Sequence, residues 1–323
     1  MCTAITFKTK DFYFGRTLDY EFSFGEEVTI TPRNYEIKFS NNTILKNHYS
    51  IIGMAHICNN YPLYYDAINE QGLAIAGLNF TRNAVYNDEV NDKDNVSQYE
   101  FILWILSQCK NIDEAKVLLS KINITNKPFS DKIPPASLHW IVSDKDSAIT
   151  IESTKEGLNI YDNEVGVLTN NPPFNIQMEN LRKYNKLSPK SPEYIEDNKD
   201  YSSYSRGLGA VGLPGDLSSK SRFVRAYFVK KNSKAGEQEE ESVNQFFHIL
   251  NSVEQQYGCC EVEKNKYEKT IYTSCCNATQ GIYYYSTYEN HQISKIEMFK
   301  EDLSKNELIS YPIIRKEKFF LQN

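Results

Sequence analysis

A cysteine stands at position two, directly after the initiator methionine, in Met1-Cys2-Thr3. A residue this small permits removal of Met1, and removal leaves a thiol and a free α-amine on one residue. The α-amine titrates near about 7.7 to 8.0 and a thiol near about 8.5, so proton transfer between them is close to balanced at neutral pH. Such an amine can take the thiol proton and later hand it to a leaving amine, as a covalent acyl transfer requires. By position alone, Cys2 is equally readable as an accident of sequence. A short strand later, Gly15-Arg16-Thr17-Leu18-Asp19 brings a guanidinium and a carboxylate toward the N-terminus, where the carboxylate would orient the amine. Arg and Asp so spaced also make ordinary surface pairs of little energetic weight. Other chemistries have weaker claims. His48, His56, His139, His248 and His291 share no paired spacing, so no metal site and no Cys-His dyad stands out. Cys259-Cys260 and Cys275-Cys276 supply four thiols, but zinc knuckles separate their ligands by roughly two to four residues. Adjacent strand residues point to opposite faces, so one cysteine of each pair is expected in the core and no metal is expected.

These side chains need rigid elements behind them. Residues 3–9 alternate small or apolar with polar side chains, and Tyr13 to Asp19 resumes after a Lys10-Asp11 turn, which predicts a β-hairpin starting at Cys2. Further strands are expected over 49–54, 73–78, 138–143 and 148–152, bounded by turn formers such as Asn69-Glu70-Gln71-Gly72. Apolar residues at helical spacing predict helices over 97–110, 112–122 and 242–254. Strands and helices without regular β-α-β alternation argue for an α+β fold with antiparallel sheets. The polar stretch 186–204, with Pro189, Pro192, Asp197, Asn198 and Asp200, is too long for a routine connection. It reads as an exposed arm, either a mobile insertion or an assembly segment.

The net charge of −6 and the absence of a Lys/Arg stripe speak against nucleic acid as a partner. No apolar run approaches the roughly 20 residues of a membrane span. The first residues lack the basic start and apolar centre of a signal peptide, so a cytoplasmic location is expected. Seven cysteines, an odd number, are read as thiols.

Taken in order, Met1-Cys2-Thr3, Gly15-Arg16-Thr17-Leu18-Asp19, Pro32-Arg33-Asn34, Asn69-Glu70-Gln71-Gly72-Leu73, Gly77-Leu78-Asn79-Phe80, Leu168-Thr169-Asn170-Asn171-Pro172, Gly212-Leu213-Pro214-Gly215-Asp216 and Ser221-Arg222-Phe223 form a joint pattern. It continues through Ile271-Tyr272-Thr273-Ser274-Cys275 and Tyr283-Tyr284-Tyr285-Ser286-Thr287-Tyr288. The pattern resembles the choloylglycine hydrolase family, N-terminal-nucleophile hydrolases that include bile salt hydrolases and penicillin V acylases. The resemblance implies one domain over 1–323, an αββα sandwich of two antiparallel sheets between helical layers, and amide hydrolysis without metal or organic cofactor. It makes Cys2 the nucleophile, Asp19 the holder of its amine, Arg16 the arginine near the sulfur and Arg222 the distal arginine, with Arg225 structural. Asn170 and Asn79 become the oxyanion donors, with Asn171 competing for the place of Asn170. By composition alone, Asn170-Asn171-Pro172-Pro173 is a turn, and Arg222 and Arg225 could share a solvated helix face.

Tyr20, Phe22 and Phe24 follow the Asp19 strand, Tyr61, Leu63, Tyr64 and Tyr65 are expected in a second loop, and Phe129, Ile133 and Leu138 in a third. By the resemblance these groups line the acyl pocket. An apolar cleft of this kind suits a rigid sterol or an aryl acyl group. Asn79 stands where the bile salt hydrolases carry Asn and the penicillin acylases tend to carry Tyr, so the resemblance points to conjugated bile salts. Penicillin V acylase is the alternative, and a catalytically silent bile-acid binder is a third reading. The stretch 186–215 resembles the loop that ties family members into homotetramers. The short connection between Cys2 and Arg16 and the doubled cysteines depart from the family pattern.

Overall fold

A computed structural model of the chain describes residues 1–192, 195–196, 199–200 and 205–323, apart from the side chains of 195–196 and 199–200. Much of the expected arm at 186–204 therefore lies outside the described residues. The predicted hairpin is present as Cys2–Lys8 and Phe12–Tyr20, in a register that sets Cys2 opposite Leu18 and Thr3 opposite Thr17. It forms the middle of a six-stranded antiparallel sheet, flanked by Val167–Leu168 on one side and by Lys269–Asn277, Ile282–Thr287 and Asn290–Glu297 on the other. Gly15 is required here by close approach, because a Cβ at this position would lie 2.1 Å from the Ser274 carbonyl oxygen of the neighbouring strand.

The second sheet has eight antiparallel strands, with Leu138–Ser143, Ala74–Asn79, Tyr61–Asn69 and Ile51–Cys58 adjacent at its centre. Alternation along these strands divides the core. Ile52, Met54, Ile68, Ala74, Ala76 and Leu78 face the first sheet, whereas Ile51, Ala55, Ala67 and Ile75 face the helix Phe101–Gln108. On the far side of the first sheet, Ser219–Asn232 and Glu239–Asn251 pack Phe223, Ala226, Phe246 and Leu250 against its outer face, in an apolar cluster continuous with the inter-sheet core. The result is the four-layer αββα sandwich, an α+β architecture in which each sheet is covered on both faces.

Expected and observed elements differ mainly at their ends. The helix expected over 97–110 begins with a 3₁₀ turn, Gln98–Glu100, and becomes α-helical at Phe101. The next one, Ile112–Leu119, is capped by Asn111, whose side chain accepts the Glu114 N–H. It gives way to a short strand, Ile122–Thr125. The Tyr61 to Tyr65 group belongs to a strand and not to a loop. Helix Phe174–Arg182 was not anticipated, and Ser219–Asn232 only as the solvated face that composition allowed at Arg222 and Arg225, because their buried faces carry Gln177, Ser221 and Arg222 and so interrupt the apolar stripe. The cysteine pairs correct the expectation of one core member each. Cys275 and Cys276 are both buried, since both faces of their sheet are covered, whereas Cys259 is exposed and Cys260 only partly buried. All seven are free thiols. No helix among the described residues is long and apolar enough to cross a membrane.

Candidate active site

The first strand delivers Cys2 to the end of the inner sheet, where its backbone is gripped from two directions. Its N–H donates to Asn170 Oδ1 at 2.7 Å, and its carbonyl accepts from Arg222 Nη1 at 2.6 Å. The same guanidinium reaches Thr3 Oγ1 at 2.6 Å and Asn170 Oδ1 at 2.8 Å, and its Nε donates to the Leu217 carbonyl. Arg222 is fully buried. Burial lowers its pKa, and the fields of Asp19 and Cys2 oppose that shift. The solvated helix face that composition allowed is thus not its setting. Its helical neighbour Arg225 instead ties the Ser252, Pro214 and Asp216 carbonyls together, a structural part.

Arg16 lies across the hairpin from Ala4 and passes into the space between the sheets. Its Nε donates to the Thr17 carbonyl and its Nη1 to the Tyr65 and Gly77 carbonyls, at 3.3 and 2.5 Å. Nη2 is buried and has no hydrogen-bond partner among the described residues. Burial works against the charge, but Cys2, Tyr272, Asp66 and Asp19 outweigh it and hold the pKa above the ordinary arginine value. A buried N–H group without an acceptor is uncommon, and one beside a thiol is suited to a ligand oxygen or to the sulfur.

Asp19 sits where the hairpin register places the N-terminus. Its backbone N–H donates to the Met1 carbonyl at 2.9 Å, and its carbonyl accepts from the Met1 ammonium at 2.6 Å. Its carboxylate accepts Thr270 Oγ1 at 2.7 Å and Thr17 Oγ1 at 3.1 Å. The partner strand carries a bulge between Thr270 and Tyr272, a local bend that aims Thr270 at this carboxylate. With Met1 in place, the nitrogen of Cys2 is an amide and the terminal ammonium belongs to Met1, which also pairs with Glu268 at 2.6 Å.

The two asparagine positions meet. Asn170 Nδ2 donates to the Asn79 carbonyl at 2.8 Å, which leaves its second N–H uncommitted. Asn79 is exposed, and its Oδ1 accepts from Thr81 Oγ1, so its Nδ2 remains available to a ligand. Asn171, the competitor, faces away from Cys2. It donates to the Thr81 carbonyl at 2.7 Å and accepts from Asn83 Nδ2 at 3.0 Å, just before a cis bond to Pro172.

The aromatic residues separate into two groups. Tyr20, Phe22 and Phe24 cluster with centroids 4.8 to 5.1 Å apart, and the Tyr65 ring lies tilted against Phe24 at 6.4 Å. Phe22 and Phe24 are 55% and 40% exposed, a degree of apolar exposure that invites an apolar ligand. The Tyr65 carbonyl also receives Arg16, so this group borders the Cys2 site. Tyr61 and Phe129 pack with Tyr99 in a second group, with Ile133 paired to Ser130 beside it. Leu138 lies opposite Asn79 in the sheet register. Tyr64 is a core residue whose hydroxyl meets Thr31 and Thr29.

Sequence reasoning missed Glu268, Thr270, Asp66 and Gln177. Each is linked to the site only through space, by partners up to 267 positions away, and none stands in a local motif. A β-bulge at Tyr65 turns both Tyr65 and Asp66 toward the first sheet, where Asp66 accepts from Tyr272, Ser274 and Tyr283.

Sandwich and site together define an N-terminal-nucleophile hydrolase. Residues 2–311 match the model for linear amide C-N hydrolases of the choloylglycine hydrolase family, and the chain belongs to that family. It is 52% identical, over the full length of both chains, to a bile salt hydrolase/transferase of Lactiplantibacillus plantarum. A crystal structure of a mutant conjugated bile acid hydrolase from Clostridium perfringens superposes with a TM-score of 0.92 at 38% identity, covering all of both chains. Penicillin V acylase from Agrobacterium tumefaciens, 20% identical, shares the fold with a TM-score of 0.78 over 96% of this chain and 91% of its own.

Proposed function

We propose that this protein hydrolyses the amide bond of glycine- or taurine-conjugated bile acids through the thiol of Cys2 after Met1 is removed. The observation that carries the reading is the grip on Cys2 by Asn170 and Arg222 within hydrogen-bond reach, with Asp19 at the register of the N-terminus. The names of the relatives support the substrate class. Trimming converts the Cys2 amide into an amine beside the Asp19 carboxylate. That amine accepts the thiol proton, and the sulfur attacks the acyl carbonyl. The negative charge that develops on oxygen is met by the uncommitted N–H of Asn170 and by Asn79 Nδ2. The C–N bond then breaks, the amine leaves with the proton, and a thioester to Cys2 remains. Water cleaves the thioester, releasing the bile acid and restoring the thiol. Arg16 and Arg222 supply positive charge on either side of the thiolate, which favours its ionised form. The exposed cluster of Tyr20, Phe22 and Phe24 receives the apolar face of the acyl group.

A relative's name also carries transferase activity. The same thioester meets an amine instead of water in that case, and no further residue is needed for the exchange. We further infer a cytoplasmic homotetramer, a reading supported by the resemblance of the 186–215 stretch to a family assembly loop. Light scattering on the purified protein checks the assembly.

The test is release of glycine or taurine from glycocholate and taurocholate, with penicillin V in parallel and the intact mass recorded on the same sample. The expected result is rapid amine release by a chain lacking Met1, and its loss in Cys2→Ser. Faster turnover of penicillin V moves the protein to the acylase branch. Binding of bile acids without turnover by the trimmed chain makes it a silent binder, and Cys2→Ser activity equal to the parent removes the nucleophile.

A further inference from the structure

Behind the two asparagines lies a fully buried imidazole that touches the segments carrying both. His139 Nε2 donates to the Thr169 carbonyl at 2.8 Å, one residue before Asn170. Its ring stacks on Phe80, one residue after Asn79, with centroids 4.2 Å apart and planes 6° from parallel. The other nitrogen, Nδ1, lies 3.0 Å from Glu152 Oε1. That same oxygen accepts the Phe174 N–H at 3.0 Å. His139, Glu152 and Phe80 are 0% exposed. The pair therefore closes the segment 169–174 at both ends and holds the neighbouring 79–80 strand end by stacking. From the opposite side Gln177 Nε2 reaches the Asn170 and Asn171 carbonyls at 3.3 and 3.4 Å.

We propose that His139 and Glu152 act as one positioning unit for the oxyanion donors Asn79 and Asn170, an inference that rests on the amide-hydrolase reading above. The proton arrangement makes them a unit. The Thr169 carbonyl can only accept, so Nε2 carries a proton, and one further proton lies between Nδ1 and Oε1, whichever atom holds it. A neutral imidazole facing a glutamine could not supply both N–H groups. Glu152→Gln must then break a bond to Thr169, His139 or Phe174. His139 and Glu152 stand on adjacent strands, Leu138–Ser143 and Ala148–Thr154, which are rigid parts of the second sheet. Asparagine amides that must meet a charge lasting only through the transition state depend on such support, since a displacement of about 1 Å can lower the rate on the order of 100-fold.

The variants are His139→Phe, which keeps a flat ring against Phe80, and Glu152→Gln, singly and together, with glycocholate as substrate. The expected result is a fall in kcat on the order of 100-fold with KM within about threefold, and a double variant no worse than the poorer single one. A cholic-acid-derived aldehyde, which forms a tetrahedral adduct with Cys2, should lose affinity in step with kcat while free cholate does not. Folded variants with unchanged kcat, or a loss confined to KM, overturn the proposal. If the variants do not fold, or if the parent hydrolyses none of the amides, the wild-type ring decides. Nitrogen-15 spectra showing a slowly exchanging proton on Nε2 and a second one shared with Glu152 support the unit, and a ring without a proton on Nε2 overturns it. Failure of the parent to hydrolyse any amide counts against the functional reading, whereas the ring spectrum tests the brace alone.

Discussion

Asn170 is the most loaded side chain of the site. It accepts Cys2 and Arg222 on one oxygen and donates to the Asn79 carbonyl with its nitrogen. Truncation to alanine removes a proposed oxyanion donor and also leaves the buried Arg222 Nη2 without its acceptor. Asn170→Ala is therefore expected to lower kcat by about 100- to 1,000-fold and to lower stability as well. Asn79→Ala, at an exposed position, is expected to lower kcat by a comparable factor with stability unchanged. Steady-state kinetics paired with urea unfolding on both variants checks the contrast. Equal stability losses would show that Asn170 is not anchoring Arg222. Asn171→Ala breaks only contacts to Thr81 and Asn83 and is expected to affect kcat least.

Helix Ser219–Asn232 carries Arg222 inward at one end and is pinned at the other by Lys230. The Lys230 ammonium donates to Thr6 Oγ1 and to the Val165 carbonyl, at 2.9 and 2.7 Å, joining the helix to the Cys2 strand and to the turn before Val167–Leu168. Burial lowers its pKa to about 8. The unfolded chain holds that proton up to about 10.4, so between these values the unfolded state binds more protons and stability rises with pH. The burial penalty is fully present below about pH 8 and is relieved on the way to pH 10. Relative to Lys230→Met, the parent should gain up to about 1.4 kcal/mol per pH unit across that window. Urea titrations of both proteins at neutral pH and near pH 10 test this, and a pH-independent difference contradicts it. Just before the same helix, hydrogen bonds from Ser218 and Ser221 hold the Asp216 carboxyl down at about 2, so that carboxylate stays ionised across the working range.

The two sheets are joined near the site by a carboxylate. Asp66 on the second sheet accepts Tyr272, Tyr283 and Ser274 of the first at 2.6, 2.8 and 2.9 Å. Burial raises its pKa, and the neighbouring Arg16 opposes the rise. Asp66 is one of several groups, with Cys2, Tyr272 and Asp19, that favour the Arg16 charge in the core. Asp66→Ala is expected to lower unfolding stability by about 3–5 kcal/mol, since it strips the buried Tyr272 and Tyr283 hydroxyls of their acceptor and removes one of the carboxylates that offset the Arg16 charge. Asp66→Asn, which keeps an acceptor, should lose less. A loss below about 1 kcal/mol for the alanine variant would mean that the sheets are not held together here.

Local chemistry made a large part of this molecule readable. The alternation after Cys2 predicted the hairpin, and its register puts Asp19 at the N-terminus, whereas the roles proposed for Cys2, Arg16, Arg222, Asn79 and Asn170 came from the resemblance of the joint motifs to the family. The hairpin depends on neighbours along one strand and turn, where spacing dictates geometry. Long-range pairing was silent in the chain. Two bulges, at Tyr65 and between Thr270 and Tyr272, turn Asp66 and Thr270 toward Arg16 and Asp19 by adding one residue to a strand, which no period-two pattern announces. The inward faces of Phe174–Arg182 and Ser219–Asn232 hid behind Gln177 and Arg222, because a helix that buries polar groups breaks its own apolar stripe. Which of Asn170 and Asn171 meets Cys2 was settled by sheet pairing: Ala4 pairs with Leu168, and this sets the following turn against the start of the first strand. A hydrogen bond between residues 168 positions apart is decided only when the chain closes on itself.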